Sequence, residues 1–238
     1  MTQEIYQKQF SIGRILSESW KMFIENFQVI LIITLVVYIP INIILSLVPI
    51  DDSMEGFKLY LRIMQILEGL IGIIATMAIA YAIKNKFDGK TVNAAEALKK
   101  ALSRWGAAVG TNIMLGIFLL GLTLLLIVPG IIYYVYWIFV SLVVVLNDKS
   151  GKDALDYSKK IVEGRWWRVA GYSIVFAMLG IIVGVVVSIP YWFLPENFLI
   201  NIVTDTLIDI LFSFFIVALT IFFINFDATK KPDEIVQG

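Results

Sequence analysis

Long apolar stretches that are nearly free of charged residues recur along this chain and constrain its fold more than any other feature. The clearest runs from Ile131 to Leu146 without a charge, and a polar loop at 147–151 ends it. About 20 apolar residues are enough for an α-helix to cross the hydrocarbon core of a bilayer. With 59% hydrophobic and 16% charged residues, the chain lies far from ordinary soluble domains. The sequence therefore predicts an all-α integral membrane protein.

We predict a single membrane domain over residues 1–238 with six spans and a polar tail at 227–238. The predicted spans are Val29–Leu47, Ile63–Ile83, Gly106–Val128, Ile131–Leu146, Val169–Ile189 and a last one that begins between Phe198 and Leu207 and ends at Phe226. Val128-Pro129-Gly130 is the predicted corner between the third and fourth spans. Residues 49–62 form a predicted polar loop, and the aromatic segment 190–195 suits the headgroup region.

Three further segments place apolar residues at helical spacing, with charged residues on the opposite face. Their predicted N-caps are Ser11, Asn93 and Ser150. Glu96 and Asp153, three residues after the last two caps, complete capping-box patterns. We expect all three segments to be interfacial helices that lie along the membrane surface, at a large angle to the spans.

The distribution of Lys and Arg predicts the orientation. Residues 1–26, 84–105, 147–168 and 227–238 hold 17 of the 19 basic residues, and the other side holds Lys58 and Arg62. Because cytoplasmic loops carry the excess of Lys and Arg, both termini and all three amphipathic helices are predicted to be cytoplasmic. The expected location is the cell (inner or plasma) membrane.

The layout of an amphipathic helix followed by two spans occurs three times, at 11–83, 93–146 and 150–226. Ser11, Leu16, Ser19 and Phe27 align without gaps with Ser150, Leu155, Ser158 and Trp166. Repeats related by an axis along the membrane normal are a known transporter design. Any chain of amphipathic helices and hairpins has a similar layout, so the pattern favours a threefold internal repeat without requiring one.

One series of motifs resembles a known family. It comprises Leu126-Ile127-Val128-Pro129-Gly130-Ile131, then Trp137, Val143-Val144-Val145, Ala154-Leu155 with Ser158, and Gly164-Arg165-Trp166-Trp167-Arg168. This series looks like the multi-pass membrane domain that precedes the catalytic domain of some bacterial glycerophosphodiester phosphodiesterases, and like related stand-alone bacterial membrane proteins. The resemblance implies a fold and a membrane location, but no activity.

The chain has no His and no Cys, which excludes imidazole bases, histidine-ligated metals, cysteine nucleophiles and thiolate sites. A carboxylate-only or Ser-Lys enzyme is still open on this basis, but no motif supports one, so we expect a non-enzymatic protein without a cofactor or a metal site. The formal net charge is zero, so no overall field points to a nucleic-acid partner.

Three acidic residues, Glu68, Asp205 and Asp209, lie within or near the outer ends of predicted spans. Ionisable groups inside a membrane are costly and commonly mark a functional site. The alternative is that they lie at the outer interface, which is the better interpretation for Asp205. Glu68 and Asp209 have similar predicted depths on helices that run in the same direction. We expect the two to approach each other and to form a candidate cation or substrate site.

Two more groups of residues are candidates for lipid contacts. Candidate headgroup ligands are Lys99, Lys100, Arg104, Lys159, Lys160, Arg165 and Arg168, although cytoplasmic membrane edges ordinarily carry such residues. Candidate interfacial anchors are Trp20, Trp105, Trp166 and Trp167.

Two classes of function stay open on the sequence. The first is transport of a cation or small molecule, or lipid handling, with membrane lipids as partners. The second is an accessory protein with an immunity, stress or scaffold role that binds a membrane-protein partner within the bilayer.

Overall fold

The computed structural model describes residues 4–48, 53–189, 193 and 197–230, and the described residues are helical with no strand. The helices are α1 (Glu4–Gln7), α2 (Ile12–Glu25), α3 (Phe27–Ser46), α4 (Met54–Leu67), α5 (Ile73–Phe87), α6 (Ala94–Leu125), α7 (Ile127–Tyr136), α8 (Val140–Leu146), α9 (Gly151–Val162), α10 (Trp166–Ser188) and α11 (Phe198–Ala228). A π-helical turn, Glu68–Gly72, joins α4 to α5. Asp51, Asp52, the tail from 231 and most of the aromatic segment 190–195 lie outside the described residues.

Six helical segments are long and apolar enough to cross a membrane. They are Phe27–Ser46, Met54–Phe87, Ala94–Leu125, Ile127–Leu146, Trp166–Ser188 and Phe198–Ala228. The prediction of six apolar, membrane-compatible helices is therefore confirmed. Their orientation in a bilayer stays a prediction.

The boundary of the second span was predicted wrongly. Residues 49–62 were expected to form a loop, but α4 begins at Met54, where the Ser53 hydroxyl accepts a hydrogen bond of 3.0 Å from Gly56 N. Of the charged residues that indicated a loop, Glu55 lies in the first turn of this helix. Together with the π-helical turn and α5, it forms a 34-residue helical segment.

The second amphipathic segment is not a separate interfacial helix. Asn93 caps it as predicted, with Asn93 Oδ1 accepting a hydrogen bond of 2.8 Å from Glu96 N. However, α6 continues without interruption from Ala94 to Leu125, so this segment is an extension of the third span. No proline and no residue with a positive φ interrupts it, and Gly106 and Gly110 remain helical.

The corner between the third and fourth spans lies earlier than predicted. Leu126 alone is extended, with φ −158° and ψ 128°, and α7 already begins at Ile127. Pro129 lies in the first turn of α7, where its missing N–H has no intrahelical partner to lose. Gly130 is needed here because a Cβ at this position would overlap the Thr123 side chain.

The fourth span is broken, which the sequence did not predict. α7 ends at Tyr136 and α8 begins at Val140. The buried Ser158 of α9 bridges the break: its hydroxyl donates a 2.8 Å hydrogen bond to Tyr136 O and accepts a 3.3 Å one from Phe139 N. The packing of α9 against the fourth span thus satisfies backbone groups that the break exposes.

The start of α9 differs from the predicted capping box. The Ser150 side chain makes no capping hydrogen bond. Instead, Gly151 N donates a hydrogen bond of 2.8 Å to Thr111 Oγ1 of α6. A contact between helices therefore replaces the expected local cap.

The first amphipathic helix, α2, packs along the C-terminal part of α11. Phe10 N donates a hydrogen bond of 2.9 Å to the buried Asn225 Oδ1, at one end of α2. At the other end, Trp20 and Phe23 have ring contacts with Phe214. These contacts are 11 residues apart on α11, or about 16 Å along its axis. Contacts over this distance indicate that α2 runs alongside α11, whereas the prediction was a helix at a large angle to the spans.

Burial is greatest where α2, α8 and α9 pack around the ends of α5 and α11. Phe139, Phe222, Phe223 and Phe226 are among the largest fully buried side chains. In contrast, only 11% of the apolar stretch of α6 and of α10 is buried inside the protein, compared with 39–50% in the other four segments. The middle unit of the proposed threefold repeat differs from the other two in helix lengths. The repeat is therefore not confirmed and stays a prediction.

Candidate functional site

Polar side chains from α3 and α11 meet inside the bundle. Asn42 is 4% exposed and donates a 2.8 Å hydrogen bond from Nδ2 to Asp209 Oδ2. The same nitrogen lies 3.2 Å from the hydroxyl of the buried Thr206. Asn42 lies one helical turn after the buried Tyr38, so the two side chains share one face of α3.

Glu68 enters the same site from the π-helical turn between α4 and α5. This turn closes with a hydrogen bond from Ile73 N to Glu68 O, five residues apart. π-Helical turns are rare and often occur at functional sites. The Tyr38 hydroxyl lies close to the Glu68 carboxylate and interacts with it electrostatically. A Cβ at Gly72 would overlap that carboxylate, so the missing side chain leaves room for it.

The structure brings Glu68 and Asp209 into electrostatic range of each other. Tyr38 interacts electrostatically with both carboxylates, and Asp209 with Glu68. The two carboxylates therefore share one neighbourhood with Tyr38 and Asn42, and their role as a cation or substrate site stays a prediction. Within the described residues, no ion pair with Lys or Arg involves either carboxylate.

Asp205 lies at the edge of this group, one turn before Asp209 on α11. It is partly exposed and interacts electrostatically with Asp209 and with Tyr60 of α4. The three acidic residues thus belong to one neighbourhood. Among the described residues, no group of three or more acidic side chains is arranged to hold a metal ion.

A cleft of about 300 Å³ opens beside Asp209. Its polar lining comes from Tyr38, Thr76, Asp209 and Ser213. The remaining lining is apolar and comes mainly from Phe212, Phe215, Ile216 and Leu219 of α11. One end of the cleft therefore presents a carboxylate and hydroxyl groups, and the rest presents an apolar wall.

The predicted headgroup ligands do not form one continuous surface. Three of them, Lys100, Arg104 and Arg165, are partly buried and have ion pairs or hydrogen bonds with protein groups. Lys100 Nζ lies 2.7 Å from Asp148 Oδ1. Arg104 donates to the carbonyl oxygens of Val144 and Lys149 at 3.2 and 3.1 Å.

Arg165 connects α9 to the end of α11. It donates to the carbonyl oxygens of Ile161 and Phe226 at 2.6 and 2.7 Å and to Thr229 Oγ1 at 3.2 Å. Its guanidinium group also lies over the Phe226 ring, 4.6 Å from the ring centre, which is within the distance of about 6 Å for a cation–π contact.

Of the other four basic candidates, Lys159 is partly buried and three are exposed. Lys159 Nζ is 5.8 Å from the ring centres of both Tyr133 and Tyr136. Lys99, Lys160 and Arg168 are exposed. Their predicted contact with lipid headgroups stays a prediction.

The four candidate anchors have different surroundings. Trp105 Nε1 donates a 2.6 Å hydrogen bond to Leu70 O in the π-helical turn, and Trp166 Nε1 donates a 3.1 Å one to Ile132 O. Trp20 is 59% exposed and packs on Phe23, and Trp167 is 84% exposed. Trp105 and Trp166 therefore also connect helices, in addition to any anchoring role.

Sequence reasoning missed Tyr38, Asn42, Thr206 and Tyr60. A signal was available for the first two, because they are polar residues four apart within an otherwise apolar span. Isolated polar residues in such a span are expected to face other helices. Thr206 and Tyr60 gave no comparable signal, since both lie near predicted span ends.

Comparison with known proteins gives a family without an assigned role. Residues 63–226, about two thirds of the chain, match the family described as "Domain of unknown function (DUF7847)". Neither a curated protein nor a solved structure matches the chain. The match shows no link to the membrane domain of glycerophosphodiester phosphodiesterases, so that resemblance stays a prediction.

Proposed function

We propose that this chain, which belongs to the DUF7847 family, is a multi-pass membrane transport protein that binds a proton or a small monovalent cation between Glu68 and Asp209. The observation that carries this proposal is the meeting of two carboxylates from different helices around Tyr38 and Asn42. Two carboxylates in a poorly solvated site cannot both stay ionised without a counter-charge. A shared proton or a bound cation supplies that charge.

The lining of the cleft beside Asp209 indicates which class of substrate the site could bind. It combines one carboxylate and hydroxyl groups with an apolar wall. Such a lining suits a small cationic or amphipathic molecule better than a strongly hydrated anion. We propose that occupancy of the carboxylate pair is linked to the movement of such a molecule.

We also propose that both termini are cytoplasmic and that the protein is not an enzyme. The first statement rests on the 17 of 19 basic residues assigned to one side. The second rests on the chemistry that the sequence lacks, since it contains neither His nor Cys. Under this orientation, Glu68 and Asp209 lie in the outer half of the membrane.

The accessory role is the second candidate. It is favoured by the low burial of α6 and α10, and by the open space beside Gly106 and Gly110, where an added Cβ would meet no atom within 4 Å. Either lipid or a partner helix would cover these faces in a membrane. A protein that acts in this way would not need the carboxylate pair.

Ion flux in reconstituted vesicles tests the proposed function. The full chain is placed in phosphatidylcholine vesicles that contain a pH-sensitive dye, and a sodium or potassium gradient is imposed. We expect faster proton movement than in empty vesicles, and a loss of this difference in Glu68→Gln and in Asp209→Asn. The control is Glu55→Gln, which changes an exposed carboxylate in the first turn of α4. Flux that equals that of empty vesicles would favour the accessory role instead.

A further inference from the structure

Two adjoining cavities at the start of α10 differ sharply in chemistry. The first, here called the polar cavity, has a volume of about 690 Å³ and is lined by Gln9 and the segment 164–168. The second, here called the apolar groove, has a volume of about 540 Å³. Trp166 and Trp167 line both, so the two spaces share one wall.

The polar cavity presents hydrogen-bond donors and a positive charge. Arg168 is exposed and donates a hydrogen bond to Gln9 Oε1. The other end of this amide, Gln9 Nε2, is buried and has no hydrogen-bond partner among the described residues. Among the described residues, no carboxylate lines the cavity. Guanidinium and amide donors without an acidic neighbour match the chemistry of a phosphate group.

The apolar groove continues from the indole rings along α7. Val128, Ile131 and Ile132 line it together with Tyr136. Val128 is 65% exposed and Ile131 56% exposed, so these side chains leave a large apolar surface uncovered. An acyl chain is the occupant whose chemistry fits this lining and its connection to a phosphate-binding cavity.

The position of the polar cavity agrees with such a ligand. Arg165, which lines the cavity, donates to Phe226 O and Thr229 Oγ1 at the end of α11. The cavity therefore lies at one end of the helix bundle, where two spanning segments begin or end. In a membrane this is the depth of the headgroups, and the groove leads from there along apolar helix surface.

We infer that one anionic phospholipid binds here, with its phosphate at Arg168 and Gln9 and an acyl chain in the groove between α7 and α10. The site is separate from Glu68 and Asp209, and the inference does not rest on the proposed function. It also selects Arg168 from the seven basic candidates in the sequence as the headgroup ligand.

Quenching of tryptophan fluorescence by brominated lipid tests this site, because bromine quenches an indole that it touches. The full chain is placed in phosphatidylcholine nanodiscs that contain a small fraction of either brominated phosphatidylglycerol or brominated phosphatidylcholine. We expect stronger quenching by the anionic lipid. Replacing both Trp166 and Trp167 by Phe should remove most of the difference, since these two indoles line both cavities.

Matched variants separate a built site from general attraction to an anionic surface. Arg168→Gln is expected to reduce the preference for phosphatidylglycerol about fivefold, whereas Lys152→Gln, at an exposed position on α9, should leave it unchanged. Ile131→Phe, which fills the groove, should weaken the quenching, and Ile181→Phe on the exposed face of α10 should not. Thermal unfolding checks that all variants are folded.

Two results would overturn the inference. The first is equal quenching by the two brominated lipids in the unsubstituted protein. The second is an equal loss of preference in Arg168→Gln and Lys152→Gln. The preference for the anionic lipid would then come from basic side chains in general and not from a site at Arg168. These outcomes leave the flux experiment on Glu68 and Asp209 unaffected.

Discussion

Asn42 Nδ2 donates a hydrogen bond of 2.8 Å to Asp209 Oδ2 and thereby joins the first and last of the six membrane-compatible segments. Because Asn42 is buried, its loss would leave the Asp209 carboxylate without this donor. We expect Asn42→Ala to lower the free energy of unfolding by about 1–2 kcal/mol, measured by titration with a denaturing detergent. The control is Ile44→Ala, at an exposed position of the same helix, for which we expect a change within about 0.5 kcal/mol.

Gly72 and Gly69 provide a matched pair of substitutions in the π-helical turn. A Cβ at Gly72 would overlap the Glu68 carboxylate and lie 3.6 Å from Tyr38 Oη, whereas one at Gly69 would meet no atom within 4 Å. Because a Glu side chain can turn away, Gly72→Ala should stay folded but lose the cation-dependent flux. Gly69→Ala should keep both. Equal flux in the two variants would show that the position of the Glu68 carboxylate is unimportant.

Ser158 is expected to contribute more to stability than Ser19, although the proposed repeat aligns the two. Both are fully buried, but Ser19 Oγ donates to Ile15 O within its own helix, whereas Ser158 bridges the break between α7 and α8. We predict a loss of about 1–3 kcal/mol for Ser158→Ala and a smaller loss for Ser19→Ala, both measured by unfolding in detergent. Equal losses would contradict this account of the break.

Asp88, just beyond the end of α5, gives a pH-dependent contribution to stability. Partial burial acts to raise its pKa, but hydrogen bonds from Lys84 and Tyr6, with the charges of Lys84 and Lys90, outweigh this effect and lower the pKa. A carboxyl group with a lowered folded-state pKa stabilises the fold above its unfolded-state pKa, and the contribution disappears as the pH falls through the folded-state value.

We therefore expect Asp88→Asn to cost about 0.5 kcal/mol at neutral pH, since this ion pair is about a third exposed. The difference from the unsubstituted protein should shrink below about pH 4. Unfolding curves recorded over that pH range measure it, with Asp156→Asn at an exposed ion pair as the control. A difference that grows on acidification would contradict the sign of the shift.

The number and type of the membrane-compatible helices could be predicted because apolar length and spacing determine them locally. The same is true of the cap at Asn93 and of the shared neighbourhood of Glu68 and Asp209, which followed from counting residues along two spans. The positions at which helices begin and end were harder to predict. The continuity of α6 through Gly106, and the break after Tyr136, depend on contacts with other helices that no local pattern records.

The donors of the candidate site were missed for a related reason. Tyr38 and Asn42 are separated by Pro40 in an apolar span, and only the packing of α3 against α11 shows which carboxylate each can reach. The π-helical turn is likewise a tertiary feature, since residues 68–72 read as an ordinary helix. The local sequence pattern therefore predicted the positions of Glu68 and Asp209 along their helices, whereas their neighbours Tyr38 and Asn42 depend on tertiary packing.

Carbodiimide labelling of Glu68, read by peptide mass spectrometry, tests the central claim most directly, because the reagent modifies protonated carboxyl groups. At neutral pH we expect Glu68 or Asp209 to be labelled well above the exposed Glu55, and sodium or lithium ions to reduce this labelling by competing with the proton. Asp209→Asn should lower the labelling of Glu68, since removal of the like charge favours its ionised form. Labelling of Glu68 and Asp209 at the level of Glu55, unchanged by cations and by Asp209→Asn, would contradict the claim that the two carboxylates share one positive charge.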